Sequence, residues 1–439
     1  MASISTEGLA SASARRPWLV VAVWAALVVA SVGITAALLS GALTTDIKFT
    51  SNPESKKGAT LLEDKLRGPE KDNEIIIVRS ADKTVDDPAF QKAVEDVHSR
   101  VNALGIGVIA SGADFYQTGD PSFVSADRHT TILPFTMAGD HHAAEDNINQ
   151  VIDVVKRADG VDGFHVIVAG GASINEDFHT QSEKDLQTGE AFGIPLALTI
   201  LVVVFGALVA ALIPVILAVI SIAVALGITA LLGQLFQLSF FVTNVMTMMG
   251  LAVGIDYSLF IVSRYREERA KGLEKMDAIR ASGATASRAV LFSGLTVVLA
   301  LTGMLIVPST IFKSLAAGAI IVVIISVLVT MTLLPAIIAI LGDRVNSLRV
   351  PILGRSLARN EYHDGEGGFW DRFTRIVMRY PVIALVVSAA ILIAAAVPLM
   401  DIHTGSAGVT TLPNNAPTKE GFRILEDEFS FGIVTPAEV

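Results

Sequence analysis

One carboxylate lies inside an apolar stretch of this chain that is long enough to cross a membrane. Asp256 stands near the middle of residues 241–262, within the segment GLAVGIDYSLF at 250–260. A charged side chain at the centre of a bilayer costs roughly 2.5–3.5 kcal/mol on insertion scales, and this cost falls when the group binds a proton or a partner. The position therefore favours a proton-transfer role for Asp256; the alternative is an aspartate that only holds helices together.

The residues around Asp256 suggest how a proton relay is built. Tyr257 follows directly, and its hydroxyl can donate to the carboxylate or to a group on a neighbouring helix. Gly250 and Gly254 are four residues apart, a spacing of small residues that lets another helix approach closely. With Phe260 one turn further on, these glycines are predicted to pack around the relay.

Two hydroxyl residues on the fifth predicted span are candidate neighbours of the relay. Ser293 and Thr296 are three residues apart and therefore lie on one helix face. The alternative is that each hydroxyl bonds the backbone of its own helix, as such residues often do.

Seven apolar stretches are each long enough to form a transmembrane helix, which needs about 20 residues. Hydrophobic residues make up 52% of the 439 residues and charged residues 17%, below the roughly 25% charged residues of soluble proteins. This composition excludes disordered, collagen-like and disulfide-stabilised proteins, and the chain has no cysteine. The predicted spans are residues 18–39, 191–209, 214–236, 241–262, 289–307, 315–341 and 381–400.

The distribution of charge predicts the orientation of these spans. Basic residues cluster at 264–288 and 342–380, and Arg15 and Arg16 precede the first span. Short basic loops stay in the cytoplasm, so residues 44–190 lie on the other side of the membrane. The first apolar run is longer than a usual signal-peptide core, which favours an uncleaved helix. The net charge of −10 disfavours nucleic acid as a partner.

The segment between the first two spans alternates strand-like and helix-like patterns. Strands are predicted at 74–79, 106–110, 130–137 and 164–169, with helices at 88–104 and 142–157 between them. The order βαββαβ is that of a split βαβ, or ferredoxin-like, unit.

An internal repeat links the two ends of the chain. The segment LLEDKL at 61–66 follows the first span, and ILEDEF at 424–429 follows the seventh. Arg16-Pro17 and Tyr380-Pro381 open the corresponding spans. We therefore expect the sequence to be the first half, and a little more, of a longer chain.

Motifs for other energy sources and for cofactors are absent from the sequence. It contains no G-x-x-x-x-G-K-[ST] phosphate loop, no G-x-G-x-x-G turn and no H-E-x-x-H metal motif. We expect no metal and no cofactor, and we expect a secondary active transporter rather than an enzyme. Any transport must use an ion gradient or another chain.

The segment 250–268, GLAVGIDYSLFIVSRYREE, closely resembles the fourth-helix motif of the mycobacterial membrane protein large (MmpL) transporters. These belong to the resistance–nodulation–division superfamily. The segments at 205–207 and 334–344 are also similar to that family. The resemblance implies export of lipids or other hydrophobic molecules, driven by the proton gradient. It also implies a relay in which Asp256 and Tyr257 pair with an Asp-Tyr on a tenth helix, in a C-terminal half that this sequence does not contain.

The resemblance also implies the architecture: an α-helical polytopic membrane protein with an extracytoplasmic α+β porter domain, truncated after its first half. The partners implied are a lipid or hydrophobic substrate, the bacterial cytoplasmic membrane and the C-terminal half, with homo-oligomerisation left open. The domains expected are a cytoplasmic N-terminus at 1–17, a first transmembrane helix at 18–43, a porter domain at 44–190, helices two to six at 191–341, a cytoplasmic loop at 342–380, a seventh helix at 381–400 and the start of a second porter domain at 401–439.

Two functional hypotheses follow from these features. The first is a proton-driven exporter of a hydrophobic substrate. The second is a non-transporting membrane scaffold or sensor, like the sterol-sensing relatives of the superfamily, in which Asp256 serves packing or regulation. A second titratable pair in the C-terminal half favours the first.

The predicted orientation can be tested by labelling, because a chain without cysteine reports cleanly on one introduced thiol. Asp87→Cys should react with a membrane-impermeant thiol reagent added outside intact cells, whereas Glu361→Cys should react only after permeabilisation. The reverse pattern contradicts the orientation.

Overall fold

The computed structural model divides the chain into two compact units, which are described separately. One unit contains residues 1–51 and 188–404, and the other contains residues 52–187 and 405–439. The structure describes residues 5–44, 49–68, 71–348, 369–402 and 408–429. Most of the expected cytoplasmic loop at 342–380, including Glu361, lies outside the described residues.

Helices dominate the described residues. They are α1 Thr6–Arg15, α2 Pro17–Leu38, α3 Glu54–Leu62, α4 Pro88–Asn102, α5 Phe115–Thr118, α6 His141–Ala158, α7 Gly171–Phe205, α8 Leu208–Leu232, α9 Phe241–Ala270, α10 Lys275–Ala284, α11 Ala286–Thr302, α12 Thr310–Leu341, α13 Phe369–Arg379, α14 Pro381–Ala396 and α15 Pro417–Glu428. The strands are β1 Leu43–Thr44, β2 Asn73–Ser80, β3 Ile109–Gly112, β4 Thr130–Met137, β5 Phe164–Gly170 and β6 Leu238–Ser239.

Seven helical segments among the described residues are long and apolar enough to cross a membrane. The prediction of a polytopic membrane protein is confirmed. The segments are Pro17–Leu38, Gly171–Phe205, Leu208–Leu232, Phe241–Ala270, Lys275–Ile306, Thr310–Asn346 and Pro381–Asp401.

The third span begins earlier than the sequence predicted. Gly206 has a φ of +64°, a left-handed conformation that glycine adopts without a steric penalty. This residue turns the chain, and α8 starts at Leu208 rather than at Pro214, which lies inside the helix. Proline is tolerated there because neighbouring groups in a membrane bundle satisfy the backbone that it disrupts.

A short N-terminal helix, α1, packs within the same unit although the sequence analysis assigned it no structure. The hydroxyl of Ser5 caps it by accepting from the amide of Gly8 at 3.0 Å. A Cβ atom placed on Gly283 of α10 would lie 2.7 Å from the Cβ of Ala10. Arg280 adds an ion pair to Glu7 at 3.3 Å, so α1 is held closely against α10.

The core of the membrane unit is formed by α8, α9 and α12. Among the side chains that fill it are Leu217 of α8, Val242 and Met246 of α9, and Val322 of α12, all fully buried. This packing places α9, which carries Asp256, between two other spans.

The second unit contains a four-stranded antiparallel sheet in the order β3-β4-β2-β5. With the first and third strands of the unit in the centre, this is the ferredoxin-like arrangement, and the prediction is confirmed. α4 and α6 cover one face through residues such as Phe90, Val94 and Ile148. The second strand differs most from the prediction, because it begins at Ile109 and Ile106 is exposed. The other strands match their predicted bounds to within one residue at each end.

The other face of the sheet is covered by α15, which comes from the far end of the chain. Ile424 and Leu425 pack against Ile77 and Ile167, and a Cβ atom on Gly421 would lie 2.9 Å from the Cβ of Ala169. Residues 401–439 were expected to begin a second porter domain. In the structure, the helix at 417–428 instead covers the apolar face of the first domain's sheet.

Phe429, which follows α15 directly, takes part in the same packing. Its side chain is partly buried against the same cluster of sheet residues.

Leu425 offers a test of this closure. Its side chain is fully buried, so Leu425→Ala should destabilise the domain by about 2–5 kcal/mol through lost burial and a cavity. Thermal unfolding of the purified protein in detergent measures the effect. The matched control is Glu426→Ala on the exposed side of α15, which should leave the unfolding temperature nearly unchanged; equal effects of the two variants would contradict the packing.

Candidate proton-relay site in the membrane unit

Asp256 lies on an exposed stripe of α9. Met248, Ala252, Asp256 and Phe260 follow one another at four-residue intervals, and all four side chains are exposed. Because residues four apart share a helix face, the carboxylate stands in the middle of an otherwise apolar stripe. Phe260 is therefore a neighbour of Asp256 on the surface and not part of the buried packing that the sequence predicted for it.

The opposite face of α9 is packed tightly at Gly250 and Gly254. A Cβ atom on Gly250 would lie 2.4 Å from Cγ1 of Ile222, and one on Gly254 would lie 2.8 Å from the Cα of Ala218. Both contacts are to α8, so the glycines let the backbones of α8 and α9 approach each other. The space left by the two glycines is filled by α8, so among the described residues no cavity remains at this face of α9.

Tyr257 points away from the stripe that carries Asp256. Successive residues of a helix are about 100° apart, so Tyr257 and Asp256 lie on different faces of α9. The side chain of Tyr257 is buried. Its hydroxyl lies beside α11, where a Cβ atom on Gly294 would be 3.7 Å from the Tyr257 Oη. Within the described parts of the chain, Asp256 and Tyr257 do not hydrogen-bond to each other.

Among the described residues, no hydrogen bond joins Ser293 or Thr296 to Asp256. Both side chains are exposed on α11, and the hydroxyl of Thr296 donates to the carbonyl of Phe292 at 2.8 Å. For Thr296, the alternative of bonding to its own helix is therefore the one observed.

Several hydroxyls in the membrane unit that sequence reasoning passed over are fully buried. Ser258 is fully buried and donates to the carbonyl of Gly254 at 2.7 Å. Ser287 of α11 and Ser326 of α12 are also fully buried, and their hydroxyls have no hydrogen-bond partner among the described residues. For Ser326, the signal in the sequence is a lone serine inside the apolar run 320–329.

Ion pairs fix the basic end of α9. Arg264 pairs with Glu268 at 2.7 Å, and Arg269 pairs with Asp343 at 2.5 Å, just after α12. Exposed pairs contribute little stability individually. The first pair lies within α9, and only the pair of Arg269 with Asp343 links α9 to the segment after α12. Part of the basic cluster that predicted the orientation is thus neutralised locally.

Two apolar grooves lie between the spans. The larger, of about 330 Å³, runs between α2, α8 and α12, and the smaller, of about 190 Å³, lies between α8 and α12. Trp24 lines the larger groove and donates from Nε1 to the hydroxyl of Thr332 at 3.0 Å. Ile337 lines both grooves, so they adjoin on α12. Such surfaces suit hydrocarbon and offer nothing to a polar ligand.

Comparison with known proteins identifies the family. The model of the MMPL family matches residues 49–384. The chain belongs to the MMPL family. The resemblance seen in the segment around Asp256 is therefore confirmed over most of the chain.

Several relatives carry descriptive names. The chain is 30% identical to the putative membrane protein SCO6666 of Streptomyces coelicolor, over 98% of this chain and 59% of that protein. It is 31% identical to the trehalose monomycolate exporter MmpL3 of Mycobacterium tuberculosis, over 84% of this chain and 41% of that protein. It is 35% identical to the mycolic acid-containing lipids exporter MmpL11 of Mycolicibacterium smegmatis, over 59% and 27% respectively. The chain thus spans less than two thirds of each relative.

The contact at Gly254 yields a test with a matched control. Gly254→Ala should destabilise the bundle by about 1–3 kcal/mol, because the new methyl group meets the backbone of Ala218. Gly193→Ala, in the span α7, meets nothing within 4 Å and should be neutral or slightly stabilising. Thermal unfolding in detergent compares the two, and a stable Gly254→Ala protein would refute the close packing of α8 and α9.

Proposed function

We propose that this chain forms part of a proton-driven exporter of lipids or other hydrophobic molecules across the cytoplasmic membrane. Membership of the MMPL family and relatives named as exporters of mycolate-containing lipids support the transport of lipids. The proton as the driving ion, and the orientation with the ferredoxin-like domain outside the cytoplasm, are our proposals.

The position of Asp256 is the observation that carries the proposal. Its carboxylate lies on an apolar stripe of a span, with Met248 and Phe260 exposed on the same face. A charge facing hydrocarbon is strongly disfavoured, so this group must be neutralised by a proton or by a polar partner on a helix packed against the stripe. A switch between these two conditions is what a proton-coupled transporter needs.

The energy of a proton gradient is sufficient for such a switch. Each pH unit across the membrane supplies about 1.4 kcal/mol per proton, and each 100 mV adds about 2.3 kcal/mol per charge. A ligand shifts a two-state equilibrium by its difference in affinity for the two states. A proton that binds Asp256 in one helix arrangement and leaves it in the other therefore biases a gap of a few kcal/mol.

The apolar grooves support a hydrophobic substrate. Their lining of aliphatic side chains and Trp24 accommodates hydrocarbon, and no charged group lines either groove among the described residues. The substrate class proposed is thus one with long alkyl chains.

Asp256→Asn tests the relay, because asparagine keeps the shape of the side chain but does not titrate. In the protein as its gene encodes it, reconstituted in vesicles with an imposed proton gradient, export of trehalose monomycolate as the probe lipid should fall at least tenfold, while membrane insertion is retained. Tyr257→Phe should reduce export by removing the hydroxyl. The matched control is Asp96→Asn, on the exposed surface of α4, which should export normally.

Two results would count against the proposal. Wild-type export by Asp256→Asn under the gradient makes Asp256 a structural residue. Absence of any lipid or proton flux in the wild-type protein, with the probe bound, favours the scaffold or sensor alternative.

A further inference from the structure

A second carboxylate, Glu74, is buried in the ferredoxin-like domain at the start of the helix that continues as the second span. Glu74 lies on β2 and is fully inaccessible to solvent. Its Oε1 accepts from the backbone amides of Ala172 at 2.8 Å and Ser173 at 3.2 Å, and its Oε2 accepts from the hydroxyl of Ser173 at 2.6 Å. These contacts hold the carboxyl group on the first turn of α7, where the helix dipole favours negative charge.

The backbone opposite Glu74 is shaped to admit its carboxyl group. Gly170 pairs with Glu74 in the register of β5 against β2. A Cβ atom on Gly170 would lie 2.5 Å from Cδ of Glu74, so any larger residue would displace the carboxyl group. The absence of a side chain at Gly170 therefore provides the space that the carboxyl group of Glu74 occupies.

The hydrogen bonds around Glu74 can accommodate either protonation state. In the charged state, the hydroxyl of Ser173 donates to Oε2, as the 2.6 Å distance indicates. When Oε2 binds a proton, that proton can instead point to the Ser173 oxygen. The Ser173 hydroxyl then donates to the carbonyl of Gly170, which lies 3.3 Å away. Neither state leaves a buried polar atom without a partner, the condition that usually makes burial costly.

The surroundings place the titration of Glu74 near neutral pH. Burial, together with the smaller effect of the negative charge of Asp72, raises the pKa of Glu74 to about 7, although the hydrogen bonds from Ser173 and Ala172 oppose the shift. His141 bonds Asp72 at 2.7 Å and Glu145 at 3.2 Å, and these bonds raise the pKa of His141 to about 10. His141 thus stays positive and partly offsets Asp72.

Other titratable groups lie on the elements that pack around this site. They are His142 and Glu145 on α6 and Glu176 and Asp177 on α7. Glu145 is held by the amide of Asn175 at 3.2 Å as well as by His141.

We propose that Glu74 is a proton-binding site whose occupancy sets the hydrogen bonding of the first turn of α7. The ligand is a proton from the compartment that the domain faces, and the responding element is the N-terminal turn of the helix Gly171–Phe205. This inference goes beyond the relay at Asp256 and does not depend on it.

The sign of the pH dependence follows from the raised pKa. Because the pKa in the folded protein is above the ordinary value of 4.5, the folded state binds more protons than the unfolded state between these values. Protonation of Glu74 therefore stabilises the domain at acidic pH, and that contribution is lost as the pH rises through about 7.

Infrared spectroscopy of the full chain in detergent micelles, titrated from about pH 5 to about pH 9, tests the proton-binding site. All proteins compared, including the reference, carry Asp256→Asn, so that the carboxylate of the proposed relay gives no band. A protonated-carboxyl band should disappear with a midpoint near pH 7. The band should be absent in Glu74→Gln and retained in Glu95→Gln, a control at an exposed position on α4. Ser173→Ala, which removes a bond to the carboxylate, should move the midpoint to higher pH.

Hydrogen exchange tests the effect on the helix. In peptides that cover the first turn of α7, protection relative to peptides of α4 should change severalfold across the same pH range in the wild type and remain constant in Glu74→Gln. A band near pH 7 that persists in Glu74→Gln, or no such band in the reference protein, overturns the proposal. The proposal is also overturned if the first turn of α7 shows the same pH dependence of hydrogen exchange in the wild type and in Glu74→Gln, provided that thermal unfolding shows both proteins to be folded.

Discussion

The close approach of α8 and α9 at Gly250 and Gly254 is the contact on which the membrane unit depends. Helices in lipid gain little from the hydrophobic effect on association, so they are held by van der Waals contact between backbones brought close by small residues. Gly318 of α12 allows a similar close contact, because a Cβ atom there would lie 2.4 Å from Cγ2 of Val242 on α9. Two faces of α9 are therefore packed against α8 and α12. Asp256 lies on the face that these contacts leave exposed.

This geometry places the two side chains of the Asp-Tyr pair in different surroundings. Asp256 is presented outward from the bundle, and Tyr257 is buried against α11 beside Gly294. A group that meets the carboxylate must come from outside the contacts described, whereas the tyrosine hydroxyl reports on the packing of α9 against α11. The pair thus joins an exposed face of α9, through Asp256, to the interior of the bundle, through Tyr257.

The sequence predicted the elements better than their contacts. Strand β4 was predicted with its observed bounds, because alternating apolar residues mark it. Its central place was not predictable, because proline usually confines a strand to a sheet edge, yet β4 contains Pro134 and pairs with both β2 and β3. The start of α8 was missed because Pro214 was read as a boundary, although a membrane bundle tolerates it. The side of α9 that Asp256 occupies was not predictable from periodicity alone, since a span is apolar all round. Neither was the burial of Glu74, which depends on Gly170 and Ser173, about a hundred residues later in the chain.

The position of α15 in the sequence imposes an order of events during synthesis. The apolar sheet face that contains Ile77 and Ile167 is complete when β5 has emerged, but the helix that covers it is about 250 residues further along. At a synthesis rate of about 5–20 residues per second, that face waits roughly 12–50 s for its cover. Throughout that interval it is a surface prone to aggregation or to chaperone capture, while the intervening membrane spans are being inserted. The domain is therefore closed only after the membrane spans between β5 and α15 have been synthesised.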